Sequence, residues 1–244
     1  MESTPMQPTL HLGDSSDAFS KGGNRLCFVD PGNKGRCIKV LRPDRSPEKK
    51  RREKSLLKRL KPLDNFNDNL QELRTYQLIE RHVGEAAFEL VPRCYGMVDT
   101  NLGEGLSSEL IRDDDGQISI TLKQYLWQQG ETPAISACLQ RFAQRWSELG
   151  MPSRNLLLHN VVVQCQQGQP QKLIVIDGLG WSDTIPVAYW IKALARRKAA
   201  RKVRLIHKAI DQLLYKKAHN LKYGYHGWLT DEARSEAASP PQDS

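Results

Sequence analysis

Apolar positions along the first forty residues fall in short runs with strand-like alternation. Leu10-His11-Leu12, Leu26-Cys27-Phe28-Val29 and Arg36-Cys37-Ile38-Lys39-Val40-Leu41 suit a pleated, half-buried surface. Lys21-Gly22-Gly23-Asn24 and Pro31-Gly32-Asn33-Lys34-Gly35 separate them and read as turns. Ser46-Pro47-Glu48 opens a helix, with serine as the cap and proline in the first turn, where its missing N–H goes unnoticed. That helix is expected to carry Leu56, Leu57 and Leu60 at helical spacing through a strongly basic stretch ending at Lys61. After Pro62 a second helix is predicted from near Asp68, with Leu70, Leu73, Tyr76, Leu78 and Ile79 turned inward.

Two more strands are predicted, Leu90 to Val98 and Leu106 to Arg112, closed by the turn Asp113-Asp114-Asp115-Gly116. From Ile120 the spacing becomes helical, through Leu122, Tyr125 and Leu126 and then Ile135 to Leu149, until Gly150-Met151-Pro152 breaks it. Two apolar strands, Val161 to Val163 and Leu173 to Ile176, flank the turn Gln166-Gln167-Gly168-Gln169. A last helix runs from about Val187 to Tyr215, and the Ala-, Ser-, Pro- and Asp-rich tail from Thr230 is expected to be disordered. The expected fold class is therefore α+β and two-lobed. A β-rich N-lobe of five strands with one or two helices covers residues 1–112, with 1–9 flexible. A mostly helical, reduced C-lobe with one hairpin covers 113–229, and the tail covers 230–244. Strands and helices do not alternate as βαβ units, which disfavours a doubly wound parallel sheet.

Composition narrows the class of function. Of 244 residues, 39% are hydrophobic and 26% charged, as in a globular protein, and no apolar run reaches the ~18 residues that cross a bilayer. The stretch Met1 to Thr9 lacks the basic and apolar regions of a secretory signal. Five scattered cysteines (Cys27, Cys37, Cys94, Cys138, Cys165) form no CxxC pair, which argues against a disulfide framework or a zinc site and for a cytoplasmic location. A net charge of +8, from 36 basic and 28 acidic residues, favours polyanionic partners such as nucleotide phosphates. It gathers in two blocks, one over residues 47–61 and one over 192–208, whose plainest reading is a solvated helix face. Aromatic residues are not interleaved with either block, which disfavours nucleic acid as a partner. The amphipathic helix around 196–204 reads as a packed terminal helix rather than a binding arm, which disfavours an anionic membrane surface.

Four features carry candidate chemistry, and their order matters more than any one of them. Lys39, on a predicted strand, can reach phosphate oxygens as a compact cation, and Glu72, on the next long helix, can pair with it. Arg154-Asn155 to Asn160 leads into one strand of the hairpin, and Asp177-Gly178-Leu179-Gly180 leaves the other, so Asn160 and Asp177 share one end of it. An amide oxygen and a carboxylate there suit Mg²⁺, which takes a few protein oxygens together with substrate phosphates. Strand lysine, helix glutamate, an Arg-X loop ending in Asn, then Asp-Gly is the order of parts in protein kinases. In that pattern Arg154 takes the loop arginine's place, Asn155 that of the catalytic aspartate, and Asn160 and Asp177 those of the metal ligands. The cofactors expected are ATP and Mg²⁺.

The chain also resembles the PhoP regulatory network protein YrbL family of bacteria. The resemblance rests on Arg36-Cys37-Ile38-Lys39-Val40, Tyr95-Gly96-Met97-Val98-Asp99-Thr100, Asp114-Asp115-Gly116 with Ser119-Ile120-Thr121-Leu122, and Asp177 to Gly180 leading into Ile185-Pro186. It implies a kinase-like fold with an incomplete active site and a bacterial regulatory role, and leaves room for a protein partner. The kinase pattern is met only in part. There is no GxGxxG loop, Gly22-Gly23 being the nearest candidate for phosphate binding, and Ser153 precedes Arg154. Asn155 cannot take up a proton, and loss of a general base costs roughly 10²–10⁴ in rate. A register that makes Asn155 the metal ligand puts Gly150 in the base position and is rejected. The leading expectation is thus an ATP–Mg²⁺-binding pseudokinase or weak phosphotransferase. One alternative is an active small-molecule or lipopolysaccharide-sugar kinase using another base, such as Asp183; the other is an interaction protein acting through its basic helices.

Overall fold

Strand parity builds the first sheet. In the computed structural model, which describes residues 9–180 and 191–236, the chain divides into two units. One runs over Met1–Arg74 and Arg93–Leu110, the other over Thr75–Pro92 and Ile111–Ala238. Among its described residues the first unit holds five strands: β1 (Ser20–Lys21), β2 (Arg25–Asp30), β3 (Asn33–Leu41), β4 (Cys94–Val98) and β5 (Gly105–Glu109). They lie in the order β1-β2-β3-β5-β4 with every pair antiparallel. Leu26 faces Val40 and Phe28 faces Ile38, and these four join Leu12 in a core. The alternate positions, Arg25, Cys27, Cys37 and Lys39, fall on the other face, and a one-residue slip would exchange the two sets. Gly105 lies against that core. A Cβ there would stand 2.7 Å from Cγ2 of Ile38, so Gly105→Ala is expected to lower the urea unfolding midpoint by the equivalent of ~1–3 kcal/mol.

Two local expectations for this unit are corrected. Leu10-His11-Leu12 is not a sheet strand; only Leu10 makes a bridge, to Thr100. Its backbone groups go instead to the loop between β4 and β5. Leu10 N–H donates to Asp99 O at 2.9 Å and Leu12 N–H to Asn101 Oδ1 at 2.9 Å, and Gly13 at φ +75° then turns the chain away. The basic helix opens as expected, Ser46 Oγ capping Lys49 N–H, but breaks into α1 (Pro47–Arg52) and α2 (Leu56–Arg59). Like charges at i,i+3 and i,i+4 repel along it, and the Arg59 guanidinium draws off the carbonyls of Arg52 and Lys54. Leu56 and Leu60 are left 78% and 83% exposed, so their helical spacing marks no buried face.

The next helix, α3 (Asp68–His82), is capped by Asn67 Oδ1, which accepts from Asn69 N–H at 3.0 Å. Its buried row is Asn69, Glu72, Thr75, Tyr76 and Ile79, whereas the expected Leu70, Leu73 and Leu78 are only half-buried. Asn69 and Glu72 take inward positions because each has a partner there: Asn69 bonds the Lys39 carbonyl, and Glu72 pairs with Lys39 and Arg25.

In the second unit, capping sets the helices. Thr121 Oγ1 caps α4 (Leu122–Gln129), and Thr132 Oγ1, with Pro133 in the first turn, caps α5 (Pro133–Leu149). Gly150 ends α5 at φ +66°, where a Cβ would meet that of Ala195 at 2.8 Å. Ile135, Cys138, Leu139, Phe142 and Trp146 form the buried stripe of α5. The hairpin β6 (Val161–Gln166) and β7 (Gln169–Val175) pairs Val161 with Val175 and Val163 with Leu173. The long helix α6 (Lys192–Ala218) buries Ala199, Val203, Ile206, Ile210 and Leu213. The disorder expected from Thr230 is corrected over α7 (Asp231–Glu236), where Arg234 donates to Ile118 O at 2.9 Å and pairs with Asp113 at 3.1 Å. Between α6 and α7 the segment Tyr223–Leu229 clasps α4. Buried Gln124 exchanges two hydrogen bonds of 2.8 Å with the backbone of Leu229, and Thr121 Oγ1 donates to Gly227 O at 2.6 Å. The fold class is α+β, and no helix among the described residues is long and apolar enough to cross a membrane.

Candidate functional site

The first unit contributes a buried charge cluster. Lys39 sits mid-sheet on β3, opposite Cys27 on β2 and Leu106 on β5, so its side chain is fixed from both flanks. Its Nζ donates to Oε1 of Glu72 at 2.7 Å, and both side chains are only 7% exposed. The pairing expected from sequence is thus present as a geometry. Arg25 was not anticipated: its Nη1 donates to Oε2 of the same carboxylate at 2.5 Å and reaches Asn69 Oδ1 at 3.5 Å. Asn69 Nδ2 in turn donates to the Lys39 carbonyl at 2.8 Å, locking α3 onto β3. Desolvating such charges costs several kcal/mol each, which only close pairing and full hydrogen bonding offset. Strand parity carried a signal for Arg25, since it lies two residues before Cys27, which faces Lys39.

Gly22 and Gly23 lie in the turn between β1 and β2. The Gly22 N–H donates to Arg25 O at 2.8 Å and its carbonyl accepts from Arg42 at 3.2 Å, so its backbone is already engaged in the hairpin. A Cβ on Gly23 would meet nothing within 4 Å.

The second unit joins the two chain segments around the β6–β7 hairpin. Arg154 N–H and Asn155 N–H both donate to Gly178 O, at 2.8 and 3.4 Å, and Ser153 bridges to Leu179. Ile176 N–H donates to Asn160 O at 2.9 Å, which sets Asn160 beside the strand end that leads into Asp177. Asn160 Nδ2 donates to Asn155 O at 3.2 Å, turning its Oδ1 away from that contact, and Asp177 Oδ1 accepts from Gly178 N–H at 2.6 Å. Gly178 is required here. It has φ +76°, and a Cβ would sit 2.4 Å from Asn155 O and 2.7 Å from Asn160 Nδ2.

Asn155 is exposed. Arg154 is half-buried, and its Nε and the Ser153 Oγ have no hydrogen-bond partner among the described residues. Lys202 of α6 donates to the Arg154 carbonyl and steadies the loop from behind. Asp183, and the Ile185-Pro186 pair used in the family resemblance, lie outside the described residues.

The loop also carries a histidine that sequence reasoning passed over. His159 rests against Gly227 of the clasp, and its ring lies 5.5 Å from that of His226. Burial lowers its pKa, helped by His226 and Lys123 and opposed by Asp177. Residues 223–229 had no role in the sequence reading because only long-range packing brings them to this loop. No group of three or more His, Cys, Asp or Glu among the described residues is placed to hold a metal. Asn160 and Asp177 offer two oxygen-bearing side chains, the number that Mg²⁺ uses when phosphates and water complete its shell.

The family model described as PhoP regulatory network protein YrbL matches residues 11–211. Two relatives, each named uncharacterized protein YrbL, come from Escherichia coli (strain K12) and Shigella flexneri. Each is 27% identical over 203 residues, covering 79% of this chain and 83% of the relative.

Proposed function

The chain belongs to the PhoP regulatory network protein YrbL family, and on that footing we propose that it is a kinase-like protein that binds ATP with Mg²⁺ and serves a regulatory role in bacteria. Phosphotransfer by it is weak or lost. The observation that carries the reading is the buried Lys39–Glu72 pair, a desolvated lysine held on a strand by a helix glutamate. In this reading Lys39 takes phosphate oxygens, Glu72 holds it, and Asn160 with Asp177 takes the metal. Arg154 stabilises the loop, and Asn155 orients a hydroxyl without removing its proton. Phosphoryl transfer depends mainly on positioning and charge neutralisation, so the parts that bind outlast the part that accepts a proton. The PhoP network in the family's description supports a protein partner rather than a metabolic role.

Thermal unfolding with and without Mg²⁺–ATP tests this. A ligand at ~100 times its Kd adds about 2.7 kcal/mol, several degrees for a domain of this size. Millimolar nucleotide is expected to raise Tm by that order in the native protein and to do nothing in Lys39→Ala or Asp177→Ala. An unchanged native Tm sinks the proposal. Asn155→Asp is expected to raise ADP release at least ~10²-fold, the lower end of a general base's contribution. Fast turnover already present in the native protein would favour an active kinase with another base.

A further inference from the structure

Between Lys192 and Lys208 the helix α6 carries eight Lys and Arg residues and no Asp or Glu. Arg196 and Lys202 are employed in the fold, donating to Glu148 O and Arg154 O. Arg197, Arg201, Arg204 and Lys208 are different. They follow one another at i, i+4, i+7 and i+11, all are exposed, and none has an ion pair among the described residues. Like charges at these spacings destabilise a helix. The stripe spans about 16 Å at ~1.5 Å per residue.

Two neighbours of the stripe indicate what covers it. Leu205, 53% exposed, borders the stripe, three and four residues from Lys208 and Arg201 on the same side of the helix. An open cleft of about 930 Å³ runs between α5 and α6, with Arg197 and Arg204 on one wall, Gln140 and Gln144 on the other and Val203 among the apolar lining residues. Glu131 also lines it. A polynucleotide, uniformly negative, would meet that carboxylate with repulsion and would leave Leu205 unused. A membrane needs an apolar helix face, and that of α6 is already buried in the unit through Ala199, Val203, Ile206 and Ile210. A protein helix with acidic residues on one edge and apolar residues beside them fits all three features: it neutralises the stripe, covers Leu205 and tolerates Glu131.

We propose that the Arg197–Arg201–Arg204–Lys208 face of α6, with its cleft against α5, docks an acidic amphipathic helix of a protein partner. The proposal is independent of nucleotide binding. The probe is a fluorescein-labelled synthetic helix with glutamates at i, i+4, i+7 and i+11 beside a leucine edge, read by anisotropy against the full chain. A peptide of the same composition in scrambled order, a DNA duplex and phosphatidylglycerol vesicles serve as competitors. The patterned peptide is expected to bind roughly tenfold or more tightly than the scrambled one, and salt should weaken it. Arg201→Glu with Arg204→Glu should weaken it by a further tenfold or so, with Tm unchanged or raised because the substitution relieves repulsion. Should the double variant lose its fold, the neutral pair Arg197→Gln and Lys208→Gln carries the same test. Equal binding of the scrambled peptide, unchanged affinity in the variants, or tighter binding to duplex or vesicles would overturn the proposal.

Discussion

Glu72→Ala is expected to lower unfolding free energy by about 3–5 kcal/mol, because it removes a carboxylate that two buried cations share. Neither Arg25 nor Lys39 can turn to water from where it sits, each with a side chain less than a tenth exposed. Glu72→Gln keeps the volume and an acceptor but loses the charge, and should recover only part of the loss. The informative comparison replaces all three groups, Arg25→Met, Lys39→Met and Glu72→Leu. A buried ion cluster exchanged for apolar side chains of similar size is often no less stable, so this triple variant should melt near the native protein while losing nucleotide response. Urea unfolding at constant m-value is the measurement. A loss under ~1 kcal/mol in Glu72→Ala would mean that solvent reaches the cluster.

The second large effect is expected at Gly178. Alanine there adds the strain of a left-handed backbone, roughly 1–2 kcal/mol, and drives a methyl group into the Asn155 carbonyl and the Asn160 amide. The loop must shift, and it carries both Asn155 and Asn160. Gly178→Ala is therefore expected to cost about 2–4 kcal/mol and to abolish the Mg²⁺–ATP shift together. Gly116→Ala separates the two contributions. Gly116 has φ +82° with nothing within 4 Å of its Cβ position, so alanine there carries the backbone strain alone. If the two variants melt alike, the crowding at Gly178 is not energetically significant.

Legibility followed the range of the interactions. Strand parity in β2 and β3, the Ser46-Pro47 cap and the turn at residues 166–169 depend on neighbours a few residues away, and all three can be read directly. Asn160 and Asp177 also come together as expected, because the hairpin fixes their register. Reading failed where charge or distance decided. The basic helix looks continuous by spacing, but its like charges and the carbonyl-seeking Arg59 divide it. On α3 the apolar spacing pointed to Leu70 and Leu73, whereas the inward row is set by Asn69 and Glu72, whose partners lie on the sheet. Arg234 belongs to a tail whose composition reads as disordered, and its partners Ile118 and Asp113 are over a hundred residues away.

The clasp of Leu229 on Gln124 also has a consequence in time. The two residues are 105 positions apart, and a ribosome adds about 5–20 residues per second, so Leu229 is made roughly 5–20 s after Gln124. Until then the Gln124 amide has neither of its backbone partners, and α4 lacks its cover. The second unit therefore completes its fold only once Leu229 has been made, and during that wait the nascent chain is open to a chaperone or a protease.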